Sequence, residues 1–198
     1  EVFAFSDCRE LFGEDYTRNN ENLKNFKAGD IALHNFKLLE FFSSKMSAKE
    51  EVEMMEILWM IASYYNSHYH RHSVQYCPPT SYPPFLNLGG TPLNDAIIAM
   101  MEIVPKFKRE TGVQKVNTIF LTDGASSRLT GVYDYGLNKD TGEHFERIVS
   151  LRGDIIVSDP KTLKNYEIDY FDMTDGLLRM FKNRVKDMNL IGFFIAGS

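Results

Sequence analysis

The sequence contains two segments in which an amphipathic helix leads directly into a short, almost wholly apolar strand. Helical spacing over residues 92–111 ends at Gly112 and is followed by a strand at 116–121. Residues 174–187 precede a second such strand at 189–196. Strands that are apolar along their whole length are typical of parallel sheets, because helices cover both faces of such sheets. We therefore predict an α/β fold with a mainly parallel, Rossmann-like sheet flanked by helices.

Other parts of the chain predict the elements around this sheet. Residues 1–5 are typical of a buried strand, and the apolar spacing of 31–42 predicts a short helix. Ser47 and Glu50 form a capping box that begins a helix over residues 48–68. Residues 9–30 and the proline-rich segment 71–88 are predicted to be loops.

Residues 125–170 interrupt the alternation of helix and strand. Two segments, 132–137 and 146–151, flank the turn sequence Asn-Lys-Asp-Thr-Gly, and further strands are predicted at 154–158 and 166–170. We interpret 125–170 as an inserted β-hairpin or small sheet within a single domain that covers residues 1–198.

Composition excludes several classes of protein. The formal net charge is −5, which disfavours general electrostatic binding of nucleic acid. The apolar runs are too short to span a membrane. The two cysteines, Cys8 and Cys77, provide neither a disulfide framework nor a four-ligand zinc site. We therefore expect a reducing, cytoplasmic compartment and no membrane partner.

Polar residues lie at two predicted boundaries of the sheet. Thr122, Asp123 and Gly124 follow the strand at 116–121, and the sequence Gly-Gly-Thr-Pro at 89–92 directly precedes a helix. Ligands bind open α/β sheets where strands end at their carboxyl edge. A hydroxyl and a carboxylate at that edge are hard oxygen ligands, which suit Mg²⁺, Mn²⁺ or Ca²⁺.

These two segments resemble the von Willebrand factor A (vWA) domain. Residues 89–97 (Gly-Gly-Thr-Pro-Leu-Asn-Asp-Ala-Ile) and 119–124 (Ile-Phe-Leu-Thr-Asp-Gly) are similar to the second and third loops of that family's metal-ion-dependent adhesion site. The resemblance implies that Thr91 and Asp123 help to hold a divalent cation, directly or through water. The sequence Phe-Ala-Phe-Ser-Asp at 3–7 also resembles a strand of the family.

One part of the family's pattern does not occur in this sequence. Its first metal loop, Asp-x-Ser-x-Ser, would precede Glu1, and the similar letters at 123–127 already belong to the third loop. Because the sequence begins without Met within a predicted strand and ends just after another, we also interpret the chain as truncated at both ends. Any Mg²⁺, Mn²⁺ or Ca²⁺ is expected to bind weakly or not at all.

The resemblance also implies a function in protein recognition. In the family the metal keeps one coordination position open for a carboxylate from a protein partner, and no bond is broken, so we expect no enzymatic activity. Intracellular bacterial and phage members, which this chain resembles most, work beside a MoxR-type AAA+ ATPase, and chelatase subunits are relatives. Because the insert follows the third loop, Tyr133, Tyr135 and Phe145 are predicted to contact the partner.

Several alternatives remain open at this stage. The chain could be a structural virion or scaffold protein whose metal site is vestigial, or a metal-dependent hydrolase that uses Asp123, although no motif of such an enzyme is present. Thr91 and Asp123 could be simple cap and turn residues. Three histidines could bind metal in an extended segment, but a helix end is favoured there: His68, His70 and His72.

Overall fold

The fold is described from a computed structural model of the chain. The structure describes residues 1–7, 27–33, 36–69, 90–129, 131–149 and 151–195. The predicted loop at 71–88, most of the loop at 9–30, both cysteines and the side chains of the three histidines lie outside the described residues.

Nine strands and three helices occur in the described ranges. In chain order they are β1 (Val2–Asp7), β2 (Ile31–Ala32), β3 (Phe36–Phe42), α1 (Ala48–Tyr69), α2 (Leu93–Thr111), β4 (Val116–Thr122), β5 (Gly131–Leu137), β6 (His144–Val149), β7 (Ile155–Asp159), β8 (Lys164–Ile168), α3 (Met173–Arg184) and β9 (Met188–Phe194). The three long helices and the strands of the insert are confirmed, with boundaries shifted by at most three residues.

The predicted helix over 31–42 is wrong. These residues form β2 and β3 instead, and β3 pairs antiparallel with β1 from Asp7↔Phe36 to Val2↔Phe42. The apolar residues of this segment fit either period, so pairing with a strand distant in sequence decides the outcome.

The sheets are small, and the described residues contain one parallel pairing. β4 and β9 run parallel and in register from Val116↔Met188 to Thr122↔Phe194. The Ile195 N–H extends this ladder by donating to the carbonyl oxygen of Thr122 at 2.8 Å. The other pairings, β1–β3, β2–β5–β6 and β7–β8, are antiparallel. The architecture is therefore mixed α and β.

The main core joins both sheet-flanking helices to the parallel pair and to the insert. Its most deeply buried members come from α2, β8 and α3: Ile97, Met101, Ile168, Leu177 and Phe181. Because β8 supplies Ile168 and Tyr166 to this cluster, the predicted insert shares a core with α2 and α3.

Among the residues that the structure describes, the β4–β9 pair has one covered and one exposed face. Thr118 and Phe120 of β4 are buried, whereas Ile119 and Leu121 are more than half exposed. The register pairs these two residues with Ile191 and Phe193 of β9, which are also exposed. The opposite face of the parallel pair is therefore apolar and open to solvent, which is unusual for parallel strands.

A buried ion pair links the insert to the helices. The side chain of Asp159, at the end of β7, is fully buried and lies 3.6 Å from Nη1 of Arg184 on α3. Glu102 of α2 forms ion pairs with both Arg184 and Lys161. Burial alone would raise the pKa of Asp159, but the backbone N–H of Lys161, the hydroxyl of Thr162 and the charge of Arg184 outweigh it. The pKa of Asp159 is therefore lowered.

Gly131 provides a direct test of the β5–β6 pairing. A Cβ at this position would lie 2.8 Å from Cγ2 of Ile148 and closer still to the carbonyl oxygen of Val149. Gly131→Ala should therefore lower the free energy of unfolding by about 2 kcal/mol, because backbone must shift to make room. In the control Gly192→Ala, no atom of the residues that the structure describes lies within 4 Å of the new Cβ. We expect a change below about 0.5 kcal/mol there. Urea denaturation measures both, and equal effects would contradict the pairing.

Candidate metal-binding and partner-binding site

Thr91 lies immediately before α2 and contacts the loop that follows β4. Its carbonyl oxygen accepts hydrogen bonds from the N–H groups of Leu93, at 2.8 Å, and Ser127, at 2.7 Å. Its Oγ1 is 2.9 Å from the position that a Cβ would take on Gly124. The Thr91 hydroxyl therefore lies against the residue that follows Asp123, and any side chain at position 124 would collide with it.

A tight turn after β4 presents Asp123 to solvent. The Gly124 N–H donates to Oγ1 of Thr122 at 3.3 Å, and that hydroxyl donates to the Gly124 carbonyl oxygen at 3.1 Å. The Asp123 side chain is exposed. The structure thus brings together the two loops that the sequence singles out, with a hydroxyl on one and a carboxylate on the other.

Asn94 holds this arrangement in place, and sequence reasoning missed it. Its side chain is buried at 2% exposure. Its Nδ2 donates to the carbonyl oxygen of Ser127 at 3.0 Å, and its Oδ1 accepts from Oγ1 of Thr174 at 2.8 Å. Asn94 therefore connects the start of α2, the loop after β4 and the start of α3. The signal available in the sequence was a polar asparagine near the start of a predicted amphipathic helix.

Ser126 caps α2 from the neighbouring loop. Pro92 at the helix N-cap provides no side-chain hydrogen bond. Instead, Oγ of Ser126 accepts from the N–H of Asn94 at 3.0 Å and donates to the carbonyl oxygen of Ser127. Because this hydroxyl already makes two structural hydrogen bonds, Ser126 stabilises the loop rather than acting as a metal ligand.

The donor set fits a divalent cation only in part. The Thr91 hydroxyl and the Asp123 carboxylate are hard oxygen donors of the type that Mg²⁺ and Ca²⁺ prefer. Six or more ligands are needed, however, and water can complete only a weak site of this kind. No group of three or more His, Cys, Asp or Glu side chains that could hold a metal occurs within the described ranges.

The predicted partner-contacting residues of the insert lie in different environments. Tyr133 is 3% exposed and Tyr135 is 52% exposed, with ring centroids 5.9 Å apart. Phe145 is half-buried beneath the guanidinium of Arg147, which lies 4.8 Å from the ring centroid and pairs with Asp134 at 3.0 Å. Tyr135 is the most exposed of the three residues and is therefore the best placed to contact a partner. The buried Tyr133 ring packs beside it.

A further exposed cluster, formed by Arg128, Tyr170 and Phe171, was not predicted from the sequence; we name it the Arg128 cluster. The Arg128 guanidinium lies 4.3 Å from the ring centroid of Tyr170, and its Nη1 donates to the Tyr170 hydroxyl at 3.0 Å. Phe171 packs edge-on against Tyr170 and is almost fully exposed. Arg128 directly follows the loop residue Ser127, so this cluster adjoins the candidate site. Arginine and aromatic side chains are enriched at protein interfaces.

Comparison of the chain with known protein families, with curated proteins and with solved structures finds no match. Among the helices that the structure describes, none combines the length and apolarity needed to cross a membrane.

Proposed function

We propose that this chain is a vWA-like protein-binding module, built on a Rossmann-like arrangement around β4 and β9, with a partial metal-ion-dependent adhesion site. The observation that carries the proposal is the close approach of the two loops beside Asp123. The Ser127 N–H donates to the Thr91 carbonyl oxygen at 2.7 Å, and the Thr91 hydroxyl lies 2.9 Å from the position that a Cβ on Gly124 would take. The sequence resemblance requires the second and third metal loops to meet, and these loops are far apart in the chain. The approach of these two loops at the end of a parallel strand supports the proposal.

The chain's own residues have distinct parts in this function. Thr91 and Asp123 would hold Mg²⁺, Mn²⁺ or Ca²⁺, and the ion would supply a coordination position for a partner's carboxylate. Asn94 and Ser126 keep the two loops together. Tyr135 on β5, and the Arg128 cluster that directly follows Ser127, would provide aromatic contact area for the partner.

The biological setting is proposed from the sequence alone, through its cysteine count and its family resemblance. It places the protein in the cytoplasm of a bacterium or of a phage-infected cell, in an assembly with a MoxR-type AAA+ ATPase. The reaction class is recognition without bond cleavage. A scaffold protein with a vestigial metal site is the alternative that the following experiment separates from this proposal.

A titration with Mn²⁺ followed by electron paramagnetic resonance tests the site. We expect weak binding, with a dissociation constant on the order of 1 mM, because few protein ligands are available. Asp123→Ala and Thr91→Ala should each weaken binding about tenfold or more. Asp140→Ala, at an exposed position in the β5–β6 turn, is the matched control and should bind as the wild type does.

Two results would count against the proposal. Binding that survives in Asp123→Ala would place the ion elsewhere on this acidic protein. An absence of binding at several millimolar Mn²⁺ would leave a scaffold with a vestigial site as the better interpretation.

A further inference from the structure

Helix α1 is apolar on two opposite sides. One side consists of half-buried residues: Met54, Ile57, Leu58, Met60 and Ile61. The other side carries Val52, Met55 and Trp59, which are 55%, 63% and 61% exposed. Residues spaced three and four apart form a continuous stripe on a helix. A surface helix is normally apolar on one side only, and a helix that is apolar on both is normally covered on both.

The exposed side of α1 has the features of a binding surface. Val52, Met55 and Trp59 line a shallow depression together with Glu56, and we name these four residues the Trp59 stripe. Tryptophan dominates the energy of many protein interfaces. Methionine adapts its shape to different partners. The stripe therefore offers a large anchor and an adaptable neighbour on a stable helix.

The charges beside the stripe are acidic and determine which occupant fits. Glu56 lies within the stripe, and helical geometry places Glu51 along its opposite border. The nearby cation, Lys49, is 3.5 Å from Glu53, one turn along the helix. Apposing two copies of α1 would bring glutamates together, and an anionic membrane surface would also repel them. A helix with lysine or arginine beside its apolar anchors has the complementary pattern.

We propose that the Trp59 stripe is the docking site for a basic amphipathic helix of a partner protein. The apolar face of that helix covers Val52, Met55 and Trp59, and its cations pair with Glu51 and Glu56. This surface is separate from Thr91 and Asp123, so the proposal does not depend on metal binding.

The single tryptophan of the chain makes the proposal directly testable. The probe is a synthetic amphipathic leucine–lysine helix, added to the whole chain while the emission of Trp59 is recorded. We expect a saturable shift of the emission to shorter wavelength, with a dissociation constant on the order of 10 µM. A leucine–glutamate helix of the same length should cause no shift, and added salt should weaken binding of the lysine peptide.

Surface variants distinguish docking of the lysine peptide at the Trp59 stripe from general electrostatic attraction of that peptide to an acidic protein. Met55→Lys should weaken binding of the lysine peptide at least tenfold, with the circular dichroism unchanged. The double variant Glu51→Lys, Glu56→Lys should bind the leucine–glutamate helix instead. The double variant Asp140→Lys, Glu143→Lys makes the same change of charge at exposed positions in the β5–β6 turn and should bind the lysine peptide as the wild type does.

Three outcomes would overturn the proposal. Equal binding of both peptides would remove the role of charge. An emission that shifts with protein concentration alone, together with a dimer that Met55→Lys dissociates, would assign the stripe to a second copy. A shift caused by vesicles of anionic lipid but not by the lysine peptide would assign it to a membrane surface.

Discussion

Replacing Arg184 with methionine should lower the free energy of unfolding by about 3 kcal/mol, the range for breaking a buried ion pair. The substitution leaves the Asp159 carboxylate buried without its cation, although the backbone N–H of Lys161 and the Thr162 hydroxyl still donate to it at 2.9 Å. Methionine preserves most of the side-chain volume, so the loss reports charge and not a cavity. Urea denaturation of the variant at neutral pH provides the measurement.

The pH dependence of this effect identifies its origin. The pKa of Asp159 in the folded protein lies below its unfolded value of about 3.9, so its contribution is present above that value and is lost as the pH falls through the folded pKa. Arg184→Met raises this pKa. The difference in unfolding free energy between variant and wild type should therefore shrink as the pH is lowered from about 7 to about 3.

Two further variants serve as controls for Arg184→Met. Adding Asp159→Asn to it should restore about half of the lost free energy, because no buried charge then remains unpaired. Lys161→Met removes only an exposed partner of Glu102 and should change the free energy of unfolding by less than about 0.5 kcal/mol. A large effect of Lys161→Met, or no recovery in the double variant, would contradict the importance of the buried pair.

Asn94→Leu should destabilise the fold by about 3 kcal/mol, because it removes two buried side-chain hydrogen bonds and leaves the Thr174 hydroxyl without its acceptor. The loops that carry Thr91 and Asp123 should also separate. We therefore expect Mn²⁺ binding to weaken in the fraction of Asn94→Leu that remains folded. Thermal denaturation and the metal titration measure the two effects independently.

The same substitution at an exposed asparagine provides the control. Asn183→Leu in α3 should change the free energy of unfolding by less than about 0.5 kcal/mol, since its side chain faces solvent. If Asn94→Leu changed the free energy of unfolding as little as the control does, the hydrogen bonds of Asn94 to the loop after β4 and to α3 would not be what maintains the site.

The sequence predicted those features that depend on neighbouring residues. The capping box is one of them: the Glu50 carboxylate accepts from the N–H and the hydroxyl of Ser47 at 2.7 and 2.9 Å. Every atom in that motif lies within one helical turn, so local chemistry suffices. The strand before Asp123 and the helix after Thr91 were predictable for the same reason, since apolar period and flanking turn residues define them.

Features that depend on distant pairings were not predictable in this way. The Thr174 hydroxyl and its acceptor, Oδ1 of Asn94, belong to residues 80 positions apart. Tyr133 and Tyr135 share one side of β5 by alternation, yet only Tyr135 is exposed. The Gly29 N–H donates to the carbonyl oxygen of Tyr133, and the Tyr133 N–H donates to that of Asp30, so a segment distant in the chain contacts Tyr133. No periodicity within β5 carries that information.

The parallel ladder of β4 and β9 has a consequence for the order of folding. Its two strands are separated in the chain by the whole insert and by α3, so pairing must close the loop that contains both. Local hairpins such as β5–β6 and β7–β8 form on a much faster timescale than such a long-range closure. The turn at Asp123 gains its final support only when Ile195 bonds to Thr122. We therefore expect the candidate site to be completed late, when β9 closes onto β4.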